Sequence, residues 1–369
     1  MLASARHTLP GHGSKVLLVA KAAFLIPGDL STRTGGYAYD RRVLGLLPSC
    51  GVEVNHVPLP ELYPEPSANA LAETERLISI QDDDAALLFD GLAYGVMPTS
   101  SLQRCCDRTI ALIHHPLFLE VGLERKHREM LFLKERAALA MARAIIVTSA
   151  TTKGIVASEF GFSEQSIVVA EPGTDPVKRA TGSDNPVQLL AVGAVIPRKG
   201  YSILVEALAQ LSALDWQLRI VGPLDRDPSC AKDLLDAISL AGLSGRVELL
   251  GTISDYELSV AYEGSDVFVM SSLFEGYGMV LAEAMAFGLP IVCTTGGACA
   301  ETVPENAALK VAPGDHAALA MALHAIISDT KLRLHLADNS WWLGQSLPSW
   351  KDTAHLVAQA IVQVQNERL

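Results

Sequence analysis

With 369 residues, 49% of them apolar and 19% charged, the chain exceeds one typical domain and holds enough apolar material for two buried cores. Its 29 Lys and Arg stand against 41 Asp and Glu, a formal net charge of -12, which argues against nucleic acid as a partner. The six cysteines form no Cys-x-x-Cys and have no His pair at zinc spacing, so neither a metal site nor a disulfide framework is expected. Several lie in apolar stretches and read as small buried hydrophobes in a reducing cytoplasm.

Residues 1–14 lack the apolar centre of a secretory signal and are expected to be a disordered extension, and no long apolar run follows. A soluble cytoplasmic protein is the expectation. The mean hydropathy of +0.26 leaves peripheral contact with the inner face of a membrane open.

Short runs rich in Val, Ile and Leu then alternate with amphipathic stretches, and strands are predicted over 15–20, 52–57, 86–90, 108–113 and 144–148. The pattern restarts at 187–192, 217–221, 246–250, 267–270 and 290–293. Continuous apolar strands separated by helices mean parallel sheets covered on both faces. Pro172, Gly173, Pro176, Gly182 and Pro186 mark a linker over 171–186. The fold class is therefore α/β, with two Rossmann-like, doubly wound domains over 15–175 and 176–349. A helix predicted over 350–364 belongs to a segment, 350–369, expected to pack back on the first domain.

Three signals are discounted. Gly11-His12-Gly13 precedes its strand and lacks the third glycine of a dinucleotide fingerprint, which removes an NAD-dependent oxidoreductase. Asp82-Asp83-Asp84 and Asp225-Arg226-Asp227 have the Asp-x-Asp spacing of metal-dependent sugar transferases but read as solvated loop charges.

Four loops at predicted strand ends carry the chemistry, and ligands of open α/β sheets bind at that edge. Thr34-Gly35-Gly36-Tyr37 precedes a helix predicted over 38–47. His114 and His115 end another first-domain strand and, being adjacent, must point apart. In VGAVIPRKG, 192–200, Arg198 and Lys199 supply charge where a pyrophosphate would lie, or else form a solvated pair. In SSLFEGYGMVLAEAMAFG, 271–288, a helix should begin near Gly278, with Glu275 on the loop before it and Glu283 in its second turn. Free amides at that helix start make a diphosphate cradle, and Gly276 and Gly278 allow close approach. Glu275 could instead cap the helix. Glu283, among apolar neighbours, needs partners such as ribose hydroxyls or a buried Arg.

The carboxylate pair in EGYGMVLAEAMAFGLPIV closely resembles the signature of retaining glycosyltransferases of family 4, which have the GT-B fold. VGAVIPRKG, Val221-Gly222, LLGTISDYEL, the double glycine, IHHP, VTSATTKG and EPGTDP follow in family order, so the resemblance spans most of the chain. It implies two domains facing a central cleft and a metal-independent, cofactor-free transfer with retention of configuration. Glu283 would bind the donor ribose, and Glu275 would contact the transferred sugar with the amides of Tyr277, Gly278, Met279 and Val280. Arg198 and Lys199 would hold the diphosphate beside Gly193 and Gly222. His114 would face the reacting sugar, Gly36 the phosphate or acceptor, and Gly35, Tyr37 and His115 the acceptor. The catalytic set is then His114, Glu275, Arg198 and Lys199. Where the family often has Arg after its phosphate-loop glycine this chain has Ala194, and Arg198 is read as the substitute.

The expected partners are a nucleotide-diphosphate sugar, UDP first and GDP next, and a saccharide or lipid acceptor. The loop 251–254 would take the base. The segment 122–143, with Arg125, Lys126, Arg128, Lys134, Arg136 and Arg143 beside apolar residues, suits an anionic membrane surface or is an ordinary packing helix. A nucleotide-sugar epimerase and a noncatalytic nucleotide-sugar binding protein are the alternatives. Oligomeric state is not legible.

Overall fold

The computed structural model describes residues 20–183 and 185–368, so the expected disordered extension lies outside the described residues. The first sheet is built from β1 (Ala20–Pro27), β2 (Val52–Leu59), β3 (Ala86–Asp90), β4 (Thr109–Ile113), β5 (Ala144–Val147) and β6 (Ile167–Val169). Its order is β2-β1-β3-β4-β5-β6, every pairing parallel. The second contains β7 (Val187–Val192), β8 (Trp216–Val221), β9 (Val247–Gly251), β10 (Val267–Met270), β11 (Ile291–Thr294) and β12 (Ala308–Val311). Its order is β12-β11-β10-β7-β8-β9, again all parallel. These are two doubly wound α/β domains.

Alternation along the strands divides each core between two faces. Ala23, Leu25, Leu87 and Phe89 point to one side of the first sheet, and Phe24, Ile26, Ala86 and Leu88 to the other. The second sheet does the same with Leu189 and Val269 opposite Leu190 and Phe268. Burial on both faces explains why these strands read as continuous apolar runs.

Two predicted boundaries need correction, and two strands were missed. Of the strand expected over 15–20 only Ala20 is described, and the observed strand continues to Pro27, because AAFLIP stays apolar past Lys21. The helix expected from residue 38 starts at Gly35, where Thr34 caps it by accepting from the Tyr37 amide at 3.2 Å. Strands β6 and β12 were not predicted at all: β6 has three residues, and the run of β12, ALKV, is interrupted by Lys310. The discounted acidic runs have surface roles. Lys21 Nζ lies 3.0 Å from Asp84, and Asp227 caps the helix Pro228–Leu240.

The helix Trp350–Asn366 lies on the first sheet, although it follows the second in sequence. Its buried stripe, including Trp350, Val357, Ile361 and Val364, packs with Phe24, Tyr39 and Val43. The chain thus crosses between domains twice, side by side. Thr174 pairs with Ser349, and the Thr174 amide donates to the Pro348 carbonyl at 2.9 Å. Ile361 has no exposed surface. Ile361→Ala is therefore expected to cost about 2–5 kcal/mol, read as a lower urea midpoint, and an unchanged midpoint would mean that the helix is not part of that core.

Candidate functional site

The second sheet reverses direction of growth between β7 and β10, which are neighbours, and the loops following them meet there. Hydrogen bonds zip the two loops together: the Leu273 amide donates to the Arg198 carbonyl at 2.8 Å, and the Ser271 hydroxyl to the Lys199 carbonyl at 2.9 Å. Gly193 has a φ of 153°, and its missing side chain leaves room for the Lys199 stem, which passes directly over it.

Lys199 Nζ then reaches Glu275 Oε1 at 2.6 Å, while Arg198 Nη1 lies 3.1 Å from Glu275 Oε2 and donates to the Phe274 carbonyl at 2.7 Å. Arg198 Nε lies 3.6 Å from Glu120 of the first domain. Burial alone would raise the Glu275 pKa, but Lys199 and Arg198 together hold it down at about 2. Glu275 is thus ionised and is not the helix cap, and the two cations are not a solvated pair. A loop that the sequence reading passed over supports this cluster. Gly296 and Gly297, after β11, press against the backbone of Leu273 and Glu275, and the Ala298 amide donates to the Glu275 carbonyl at 2.9 Å. The double glycine at a strand end was the missed signal.

The helix Met279–Ala286 starts from Gly278, which has a φ of 87°, and no side chain caps it. Its first amides, at the positive end of the helix dipole, lie next to the Glu275 cluster. Four residues on, Glu283 accepts from the Tyr262 hydroxyl at 2.9 Å, and Tyr262 is fixed by stacking on Phe287. Burial lifts the Glu283 pKa to about 7 against the opposing Tyr262 hydrogen bond. Its partner is a tyrosine and not a buried arginine, since Arg42 pairs with Asp175.

The first domain closes over this edge. Gly35 lies against the Met279 sulfur, and Gly36 against the His114 ring. A side chain at Gly276 would collide with the His114 carbonyl, so this glycine serves domain contact. His114 turns toward Asp40 and Asp90, its Nε2 lying 2.9 Å from Asp40 Oδ1. His115 turns the opposite way, edge-on to Phe274 with ring centroids 4.9 Å apart, and burial lowers its pKa to about 4. The Tyr37 hydroxyl donates to the Pro27 carbonyl at 2.6 Å. Gly222 packs on the Gly193 carbonyl beside the cluster. Asp40, Asp90 and His114 bring ligand-type atoms within 4.8 Å of one another, a spacing that a cation could also span. The Asp residues gave no sequence signal.

Two further contacts bridge the domains. Arg33 Nη1 donates to the Ile253 carbonyl at 2.6 Å and pairs with Asp255 at 3.0 Å, at the loop expected to take the base. Glu301 accepts from the amides of Ala150 and Thr151 at 3.0 and 2.7 Å, and so caps a first-domain helix, Ala150–Phe160, from the other side of the cleft. Glu301→Ala is expected to shift the balance toward an open cleft about five-fold. Small-angle scattering without ligand would then give a larger radius of gyration than for the unaltered chain, and identical profiles would remove Glu301 as a latch.

Comparison with known proteins bears on this geometry. The family model for glycosyl transferases group 1 matches residues 175–340. An MMP alpha-(1->4)-mannosyltransferase of Mycolicibacterium hassiacum is 27% identical over 312 residues, which cover 79% of this chain and 74% of that one. A sucrose-phosphate synthase of Thermosynechococcus elongatus superposes with a TM-score of 0.80 at 21% identity, covering 94% of this chain and all of that one. HepE of Anabaena in complex with UDP-glucose gives a TM-score of 0.71 at 18% identity, over 94% and 99% of the two chains. Among the described residues no helix is long and apolar enough to cross a membrane. The chain thus has the GT-B fold, and the half that carries the Glu275 cluster and Glu283 matches glycosyl transferases group 1.

Proposed function

We propose that the chain is a retaining glycosyltransferase that moves a hexosyl group from a nucleotide-diphosphate sugar to a saccharide or lipid acceptor without a metal ion. The observation that carries this reading is the Lys199–Glu275–Arg198 cluster, with Glu275 buried and both cations largely so, beside the uncapped helix start at Gly278. On arrival of the donor, the diphosphate takes Lys199 and Arg198 as partners and lies across the amides of Tyr277, Gly278, Met279 and Val280. The same cations and dipole stabilise the charge that grows on the departing nucleotide, which supports a reaction independent of metal. Glu283 receives the ribose hydroxyls. Glu275 and His114 hold the sugar.

In the unliganded site Glu275 is bound between two cations as their charge partner and is not free as a nucleophile, which favours retention by same-face attack over a covalent intermediate on Glu275. UDP is the favoured nucleotide because HepE, of the same fold, binds UDP-glucose. GDP is second. On the helix Arg125–Leu139, Arg125, Lys126, Arg128, Lys134 and Arg136 are exposed together with Met130 and Leu133, which supports a lipid acceptor at an anionic surface.

The test is a panel of UDP-, GDP- and ADP-sugars in EDTA, followed by thermal shift and by nucleotide release with and without lipid or saccharide acceptors. Stabilisation by one donor, with release rising on addition of acceptor, is the expected result. A rearranged sugar nucleotide with no release would identify an epimerase, and binding without turnover a noncatalytic protein.

A further inference from the structure

Asp40, on the helix Gly35–Leu46, and Asp90, the last residue of β3, are 0% and 1% exposed, yet neither forms an ion pair with Lys or Arg among the described residues. Both face one imidazole nitrogen: His114 Nε2 lies 2.9 Å from Asp40 Oδ1 and 3.6 Å from Asp90 Oδ2. Asp90 Oδ1 accepts from the Leu92 amide at 2.6 Å, whereas Asp40 Oδ2 is buried without a hydrogen-bond partner. Arg41 next door is spent on the carbonyls of Leu30 and Thr32. Two carboxylates this close in a dry site cannot both be ionised, so they hold one proton between them.

The ring they face is locked. Tyr39 meets its plane edge-on with centroids 5.0 Å apart, Gly36 covers its Cδ2 edge, and Thr148 donates to the His114 carbonyl at 3.3 Å. Nδ1 has no protein partner among the described residues, and the side chain keeps 18% of its surface open. We propose that Asp40 and Asp90 act as a proton-sharing pair of positioning residues that fixes His114 as the Nε2–H tautomer, leaving Nδ1 to accept a hydrogen bond from a sugar hydroxyl in the cleft. This rests on the transferase reading above. Such a second layer of support typically changes rate by about 10-fold or more, because the wrong tautomer presents a donor where an acceptor is needed.

The tautomer is read without turnover, from nitrogen-15 long-range NMR of the histidine rings, with His114 assigned through its loss in His114→Gln. In the unaltered protein Nε2 carries the proton, and in the double variant Asp40→Asn/Asp90→Asn the ring becomes a mixture. In the donor assay the double variant loses about 10-fold or more in kcat while donor KM stays within about two-fold. An Nδ1–H ring in the unaltered protein overturns the inference whether or not the variants fold. So does a double variant that is unchanged in tautomer and kcat. Stoichiometric broadening of the His114 signals by Mn2+, abolished in the double variant, would make the trio a cation site and also overturn it. Failure of the transferase reading shows separately, as absent turnover in the unaltered protein with the tautomer as stated.

Discussion

Lys199→Ala is expected to slow sugar transfer by about 100-fold or more while weakening donor binding only a few-fold. The ammonium sits 2.6 Å from Glu275 in a largely dry cluster, so its field is little screened. In the resting site that field is balanced by Glu275, and in the proposed reaction its full effect would appear when negative charge develops on the leaving diphosphate. An interaction that strengthens toward the transition state is lost from kcat, not from affinity. Arg198 stays in place to keep Glu275 paired, so the variant should fold, and in the proposed complex it would still hold the ground-state phosphate. Single-turnover nucleotide release beside calorimetric donor binding separates the two quantities. Equal losses in rate and affinity would mean that Lys199 binds the ground state only, and no loss in either would remove it from the site.

Glu283→Ala should do the reverse, lowering donor affinity about 100-fold, since two hydrogen bonds to a charged group are each worth about 1.5–3 kcal/mol before compensation. The unaltered site adds a pH signature. Burial holds the free Glu283 at about 7, and in the proposed complex ribose hydroxyls would donate to the ionised form. Below pH 7 the donor must therefore displace a proton, and affinity falls by up to ten-fold per pH unit; above pH 7 it levels off. Titrating donor binding between pH 5.5 and 8.5 tests this. A flat profile, or the same slope retained in Glu283→Gln, would assign the ribose elsewhere.

Much of the architecture was legible because parallel sheets covered on both faces leave unbroken apolar runs in sequence. Strands β3, β7 and β10 were found that way. The same rule fails for β6, which has three residues, and for β12, ALKV, where Lys310 breaks the run and only Ala308 is buried. The cluster residues Arg198, Lys199 and Glu275 were legible one by one, through their places at strand ends. Their union was not, because it depends on β10 lying beside β7 with β11 outside it. Asp40 was invisible for a different reason. A charged residue on an amphipathic helix reads as surface, and only the packing of that helix on β3 and β4 buries it against Asp90 and His114. Arg33 and Glu301 act across the cleft, on partners more than a hundred residues away, where no local pattern reaches.

The double crossing at Thr174 and Ser349 also orders events during synthesis. The first sheet leaves the ribosome early, but the face that Val357, Ile361 and Val364 cover stays bare until residue 364 has been made. The second domain, continuous in sequence between the crossings, is complete before that, and domains generally fold as units. The domain begun first is therefore the last to have its whole sequence available. A nascent chain stalled before Trp350 would hold the whole second domain and an unsealed first one, which makes the last helix the step that turns two halves into one cleft.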